Sequence, residues 1–228
     1  MNGILLVNKP EKWTSHDVVA KLRYRWAVKK IGHGGTLDPM ATGLLVLLIG
    51  NGTKISQYIT NQDKIYEGTF CLGQETDSYD RDGEITATHE VRVSGEEIVT
   101  CAEKFLGDQL QIPPMFSAKK VNGRPLYKLA REGKAIERKP CAVKIYDFSI
   151  QKIYSPYVDF RLSCSKGTYV RTLAHDMGQQ LGCGAYLYQL RRVKTGNFTV
   201  EQAWPLETLL AMDRETFEHC LLPITDIL

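Results

Sequence analysis

Two hydrophobic periods alternate along this chain and lay out its elements. Residues 3–7 form an apolar run of strand length, and Thr14-Ser15-His16-Asp17 has the Ser/Thr-x-x-Asp form of a helix start. Val18, Val19, Leu22 and Trp26 follow at helical spacing, which puts Lys21, Arg23 and Arg25 on a helix with one apolar face. Residues 44–49 are continuously apolar, as a buried strand would be. Between 65 and 72, Tyr66, Gly68, Phe70 and Leu72 alternate with Ile65, Glu67, Thr69 and Cys71, a period of two that predicts a strand. Ser94-Gly95-Glu96-Glu97 opens a helix carrying Ile98, Ala102, Phe105 and Leu106 and closed by Gly107. Residues 141–165 hold two β-rich runs parted by Ser155-Pro156. A helix over 168–181 stops at Gly182, and strands follow near 185–194 and 197–200. Strands paired mainly with nearby strands, with helices interspersed, predict an α+β fold with a central mixed, mostly antiparallel sheet. No composition shift marks a linker and no internal repeat is present, so 1–228 is read as one domain.

Composition narrows the class. Hydrophobic residues at 43% and charged residues at 24% suit a globular chain with a sizeable core. The longest apolar run is far too short to span a bilayer, and Met1-Asn2-Gly3 lacks the basic head of a secretory signal. The six cysteines lie far apart with no CxxC pair, and no histidines stand at ligand spacing. Neither a metal site nor a disulfide framework is expected, and the expected compartment is the cytoplasm. The net charge of +3 conceals two basic stretches. Residues 117–139 hold eight basic side chains against two acids, and residues 18–37 hold five and no acid, so the remainder is acidic. Two concentrated basic stretches on an acidic body favour a polyanionic partner.

Residues 31–43, Ile-Gly-His-Gly-Gly-Thr-Leu-Asp-Pro-Met-Ala-Thr-Gly, carry the candidate chemistry. Four glycines mark a shaped loop, and Pro39 biases Asp38 toward an extended backbone. A single carboxylate at the mouth of a buried strand suits catalysis. It also suits a plain Asx turn, and local sequence leaves both open.

The loop resembles the signature of the TruB family of tRNA pseudouridine synthases, G-H-x-G-T-L-D-P-x-A-T-G. Further blocks agree in the same order: Asn8-Lys9-Pro10 with Thr14-Ser15, Lys64-Ile65-Tyr66 with Leu72-Gly73, Gln111 to Lys120, Ser165 to Thr172, and Leu190-Arg191-Arg192 with Gly196 and Phe198. The resemblance implies the pseudouridine synthase fold and conversion of uridine at position 55 of the tRNA T loop. That reaction breaks C1′–N1, turns the base and joins C1′ to C5, with no net redox change, so no cofactor or metal is implied. It also implies Asp38 as catalytic residue, Arg171 as its paired cation and Tyr66 as the aromatic group against the flipped base. Leu190 would line the pocket and His33 would contact RNA. Lys9, Lys64, Tyr169, Lys119, Lys120 and Arg124 are carried over as substrate-binding, with 117–139 as a basic RNA-binding insertion.

Gly34 departs from the family, where many relatives carry a side chain such as threonine; a looser loop and a less firmly placed His33 are expected. About 30 residues follow the Arg191–Phe198 motif, too few for the PUA-type domain of longer members. A monomer without an obligate protein partner is expected. Two other readings remain at this stage: a guide-RNA-dependent relative, which shares the Asp loop, and a non-catalytic tRNA-binding or folding module using the same basic surfaces. A phosphate-binding glycine loop lacks the GxxxxGK[ST] spacing.

Overall fold

A computed structural model describes all residues except 118, 122, 133–135 and 227–228. In chain order it contains β1 (Gly3–Lys9), α1 (Ser15–Trp26), β2 (Ile31–His33), β3 (Thr42–Ile49), α2 (Ser56–Thr60), β4 (Lys64–Leu72), β5 (Gln74–Thr76), β6 (Ile85–Thr88), α3 (Gly95–Glu103), β7 (Gly107–Gln111), β8 (Lys120–Val121), β9 (Arg124–Pro125), α4 (Leu126–Arg131), β10 (Cys141–Tyr154), β11 (Tyr157–Cys164), α5 (Val170–Leu181), β12 (Ala185–Thr195), β13 (Phe198–Thr199), β14 (Trp204–Pro205), α6 (Leu206–Ala211) and α7 (Arg214–His219). The chain divides into two compact units, Met1–Tyr66 with Leu190–Leu228, and Glu67–Gln189.

The first unit is built on β3. One edge of this strand pairs antiparallel with β1 along its length, from Gly3↔Ile49 to Lys9↔Gly43, and β14 joins β1 in parallel. The other edge is divided. β2 takes positions 47–49 antiparallel, and β12 takes 42–43 in parallel through Arg191↔Thr42 and Arg192↔Gly43. This is the mixed sheet that the pattern predicts. Its core joins Ile4, Leu6, Leu44, Val46, Leu48, Ile59 and Val200. The capping box at Thr14 forms as expected, with Asp17 N donating to Thr14 Oγ1 and Thr14 N to Asp17 Oδ2. Val18, Val19, Leu22 and Trp26 are buried on one face of α1, and Trp26 stacks on Phe217 of α7 at 4.4 Å.

In the second unit β11, β10 and β7 lie side by side, antiparallel, with β4 next to β11. Phe70 stacks on Phe160 at 4.1 Å while Phe105 and Phe148 meet edge to face, so β4, β10, β11 and the segment after α3 share an aromatic core. β12 comes within contact of β4 here: a Cβ on Gly68 would lie 2.4 Å from the Gln189 carbonyl oxygen. Only glycine allows that approach. α5 ends on Gly182 in the left-handed region, as the sequence predicts.

Candidate active-site residues

The loop between β2 and β3 lies in the first unit at the divided edge of β3, with Gly34 N donating to Val46 O at 2.8 Å. Leu37, Met40 and Ala41 are buried and anchor it, while Asp38 between them is half-exposed. Asp38 O accepts from Ala41 N at 3.1 Å, which closes a tight turn around the proline. Ser15 fixes the preceding residue twice: its Oγ accepts from Leu37 N at 2.8 Å and lies 3.1 Å from Leu37 O. Asp38 therefore projects from a turn whose flanking residues are held by packing and hydrogen bonds. Gly34 does not loosen it. A Cβ there would stand 2.2 Å from Ile59 Cγ2, so the glycine admits a buried isoleucine in place of a side chain. The expected flexibility is replaced by packing.

Two buried cations support this loop from below. Arg192 spreads its guanidinium over three carbonyls, with Nε to Leu44 O at 2.8 Å, Nη2 to Gly35 O at 3.1 Å and Nη1 to Thr36 O at 3.4 Å. Lys9 is 0% exposed and its Nζ donates to Trp13 O at 2.6 Å, Pro10 O at 2.9 Å and Pro39 O at 3.4 Å. Burial lowers the Lys9 ammonium to about 8, against the opposing attraction of Asp38. His33 ends β2 opposite Leu47. Its ring is held below the usual imidazole range by burial and then by the charge of Arg192, and its Nδ1 is buried without a hydrogen bond. A neutral imidazole is the state this environment favours.

Tyr66 on β4 and Leu190 on β12 are buried in the same unit, and Thr42 Oγ1 reaches Leu190 O at 3.5 Å beside the end of the Asp38 loop. Lys64 is buried too, its ammonium donating to the carbonyl of Thr60 at the end of α2 and to that of Gln62 just beyond it. Lys9 and Lys64 thus turn their charges onto backbone rather than solvent.

The second unit holds the remaining candidates. Arg171, in the first turn of α5, is buried. Its Nη1 lies 3.2 Å from Asp80 Oδ2 and donates to Ser78 O at 3.2 Å, and its Nη2 donates to Phe116 O at 2.8 Å. Asp80 is itself organised by Ser78 Oγ at 2.6 Å and Asp82 N at 3.1 Å, both on its Oδ1. Tyr169, which caps α5, is clamped by Gln111. Tyr169 N donates to Gln111 Oε1 at 2.7 Å, and Gln111 Nε2 donates to Tyr169 O at 3.0 Å. Lys119 donates to Cys141 Sγ, and Arg124 pairs with Glu132. Lys120 begins β8, which pairs with β9 as a hairpin. The Lys120 side chain, and Lys134 of the basic stretch, lie outside the described residues.

Sequence reasoning missed Asp80, Gln111 and Arg192 as parts of these arrangements. Arg192 and Gln111 stood inside motifs already noticed, and Asp80 sits in Thr76–Gly83, whose closely spaced Asp, Ser and Gly residues are a turn signal. Among the described residues no group of His, Cys, Asp and Glu could hold a metal ion, and no helix is long and apolar enough to cross a membrane.

The sheet with its flanking helices is of the pseudouridine synthase fold, and one of its units holds a carboxylate on a braced loop together with a buried tyrosine and leucine. The chain belongs to the TruB family of pseudouridylate synthases: the N-terminal domain of that family matches residues 23–170, and the tRNA pseudouridylate synthase B C-terminal domain matches 171–228. It is 52% identical over 225 residues to tRNA pseudouridine synthase B of Opitutus terrae, covering 98% of this chain and 93% of that protein. It is also 52% identical over 209 residues to the protein of that name from Clostridium novyi, covering 92% and 72%. Among solved structures it resembles a Cbf5-Nop10-Gar1 complex with a TM-score of 0.76 and 28% identity, covering 97% of this chain and 60% of that one.

Proposed function

We propose that this chain converts uridine 55 in the T loop of tRNA to pseudouridine, with Asp38 as the catalytic residue. The observation that carries the reading is the bracing of the Asp38 turn by Ser15, Lys9 and Arg192, which holds one carboxylate in a fixed place. Ordered presentation of a single anion is what a reaction at C1′ or the uracil ring requires. The target base must leave its stack, at a cost of a few kcal/mol, so a loop nucleotide is favoured over regular duplex. Tyr66 would stack on the extruded uracil and Leu190 would close the pocket. Arg171, with its orientation set by Asp80, supplies the cation that the family resemblance pairs with the catalytic acid. Lys9 and Lys64, on this geometry, shape the backbone around the pocket instead of meeting phosphate. The basic stretch 117–139 and His33 would meet the RNA.

The reading includes action without a guide RNA or protein partner, in the cytoplasm. Purified chain and a tRNA transcript labelled with tritium at C5 of uridine test it together. Release of one equivalent of tritium per tRNA, abolished by a U55C transcript, is the expected result. Binding without release would make the chain a tRNA-binding module, and release only on adding guide RNA would place it with the guided relatives.

A further inference from the structure

At the end of β3 away from the Asp38 loop the first unit carries a cavity of about 270 Å³ whose lining includes Val28, Lys29, Lys30, Gly50 and Arg214. Three cations line it and no acid does. They are fixed by three separate pieces of local structure. Ala27 ends α1 with φ 50°, turning the chain out so that Lys29 and Lys30 occupy the short connection into β2. Gly50 ends β3 with φ +58°, its N–H donating to Lys30 O at 2.8 Å. A Cβ on Gly50 would lie 2.2 Å from Asn2 Oδ1 and 2.6 Å from Met1 O, so the close approach of the segment preceding β1 needs a glycine here. Arg214 is the first residue of α7, whose start is capped by Asp213 through Thr216 N at 2.8 Å. Among the described residues Lys29 and Lys30 have no ion-pair partner, and Arg214 commits only its Nε, to Glu218 at 3.0 Å. Three basic residues with uncommitted charge therefore line one concavity.

The ligand chemistry follows from that set. Several donors with full positive charge around a small open cavity suit a tetrahedral oxyanion. Tyr24, outside that lining but 88% exposed on α1 in the same acid-free stretch, offers an aromatic face on which a nucleotide can stack. Eight residues of β3 separate this end from the Asp38 end, about 25 Å at the usual strand rise. We propose that the cavity is a second phosphate subsite, which holds a backbone phosphate of the RNA substrate at a distance of about 25 Å from the target uridine. This rests on the tRNA reading above. It adds a grip within the unit that carries Asp38, one that uses α7 as well as the 18–37 stretch.

The test is a K29A/K30A/R214A variant, whose three side chains are exposed and belong to residues lining the cavity at the far end of β3 from the Asp38 loop. Dissociation constants for full tRNA transcript are measured from low to moderate salt, with single-turnover rates at saturating tRNA. Expected are weaker binding, a salt slope shallower by about one unit or slightly more, and a rate at saturation within about twofold of wild type. K29R/K30R should restore the slope. A control triple, K104A/K144A/K152A, removes the same charge from the other unit and should leave the slope in place. An unchanged slope in the first variant, or an equal change in the control, overturns the subsite. Inorganic phosphate is titrated separately against wild type. Tight phosphate binding at the cavity with no change in the tRNA slope would make it a site for free anions, and the proposal would fail. Turnover by wild type in the same samples reports on the tRNA reading independently.

Discussion

Arg171 Nη1 lies 3.2 Å from Asp80 Oδ2, and both side chains are almost fully withdrawn from solvent. The pair joins the first turn of α5 to the Thr76–Gly83 turn, 91 residues earlier in the chain, and fixes the guanidinium plane. Removing one member of a buried pair costs more than the pair contributes, because the survivor keeps its desolvation penalty. Asp80→Asn should therefore destabilise the protein by about 3 kcal/mol in urea unfolding and lower the single-turnover rate while leaving tRNA affinity within about threefold. A variant that binds poorly and reacts normally would place Arg171 on the RNA backbone.

Asp38→Asn keeps the shape of the turn and removes its anion. It should fold, bind tRNA as wild type does, and release no tritium. Mass spectrometry must first exclude deamidation back to aspartate. Activity above about a tenth of wild type would remove Asp38 from the chemistry.

Arg192 serves three carbonyls with three different nitrogens, a task that one ammonium cannot repeat. Arg192→Lys retains the charge but should displace the Asp38 turn and lower the turnover number by about a hundredfold with KM little changed. Arg192→Gln removes the charge as well, and the His33 imidazole, now relieved of that repulsion, should titrate at higher pH by NMR. A wild-type rate in the lysine variant would show that the fork is not needed.

Gly34→Thr installs the side chain many relatives carry and should fail here, because Ile59 Cγ2 occupies its place. Overpacking of this kind costs about 1–3 kcal/mol. Ile59→Ala in the same chain should recover much of that loss, so the double variant should be more stable than Gly34→Thr alone. Additive effects of the two substitutions would mean that the residues do not compete for one space.

Lys9 titrates at about 8 in the folded chain and at its ordinary higher value when unfolded. Between those two values the unfolded state binds more protons, so folding gains stability as pH rises. The unfolding free energy of wild type minus that of Lys9→Met should increase between about pH 8 and pH 10.5, and level off below pH 8. A difference that stays flat across that window would mean that Lys9 is solvated.

Much of the architecture is legible in the sequence because it depends on local periodicity. The capping boxes at Thr14 and Ser94, the αL stop at Gly182 and the period of two in β4 are encoded within a few residues, and each forms where the pattern places it. Asp38 stands out for the same reason: its glycines and proline declare a shaped loop before any contact is known. What holds that loop was not legible. Arg192 meets Leu44 across 148 residues, and Arg171 meets Ser78 across 93. An arginine in a β12 motif reads equally well as an RNA contact or a surface charge until the fold buries it. The same holds for Lys9, whose charge turns inward onto carbonyls, and for Gly34, whose absent side chain is filled by Ile59. Hydrophobic pattern decides which face of an element is buried, but burial of a charge is set by which distant carbonyls and carboxylates the closed fold brings within hydrogen-bonding reach, and those distances exist only in the tertiary structure.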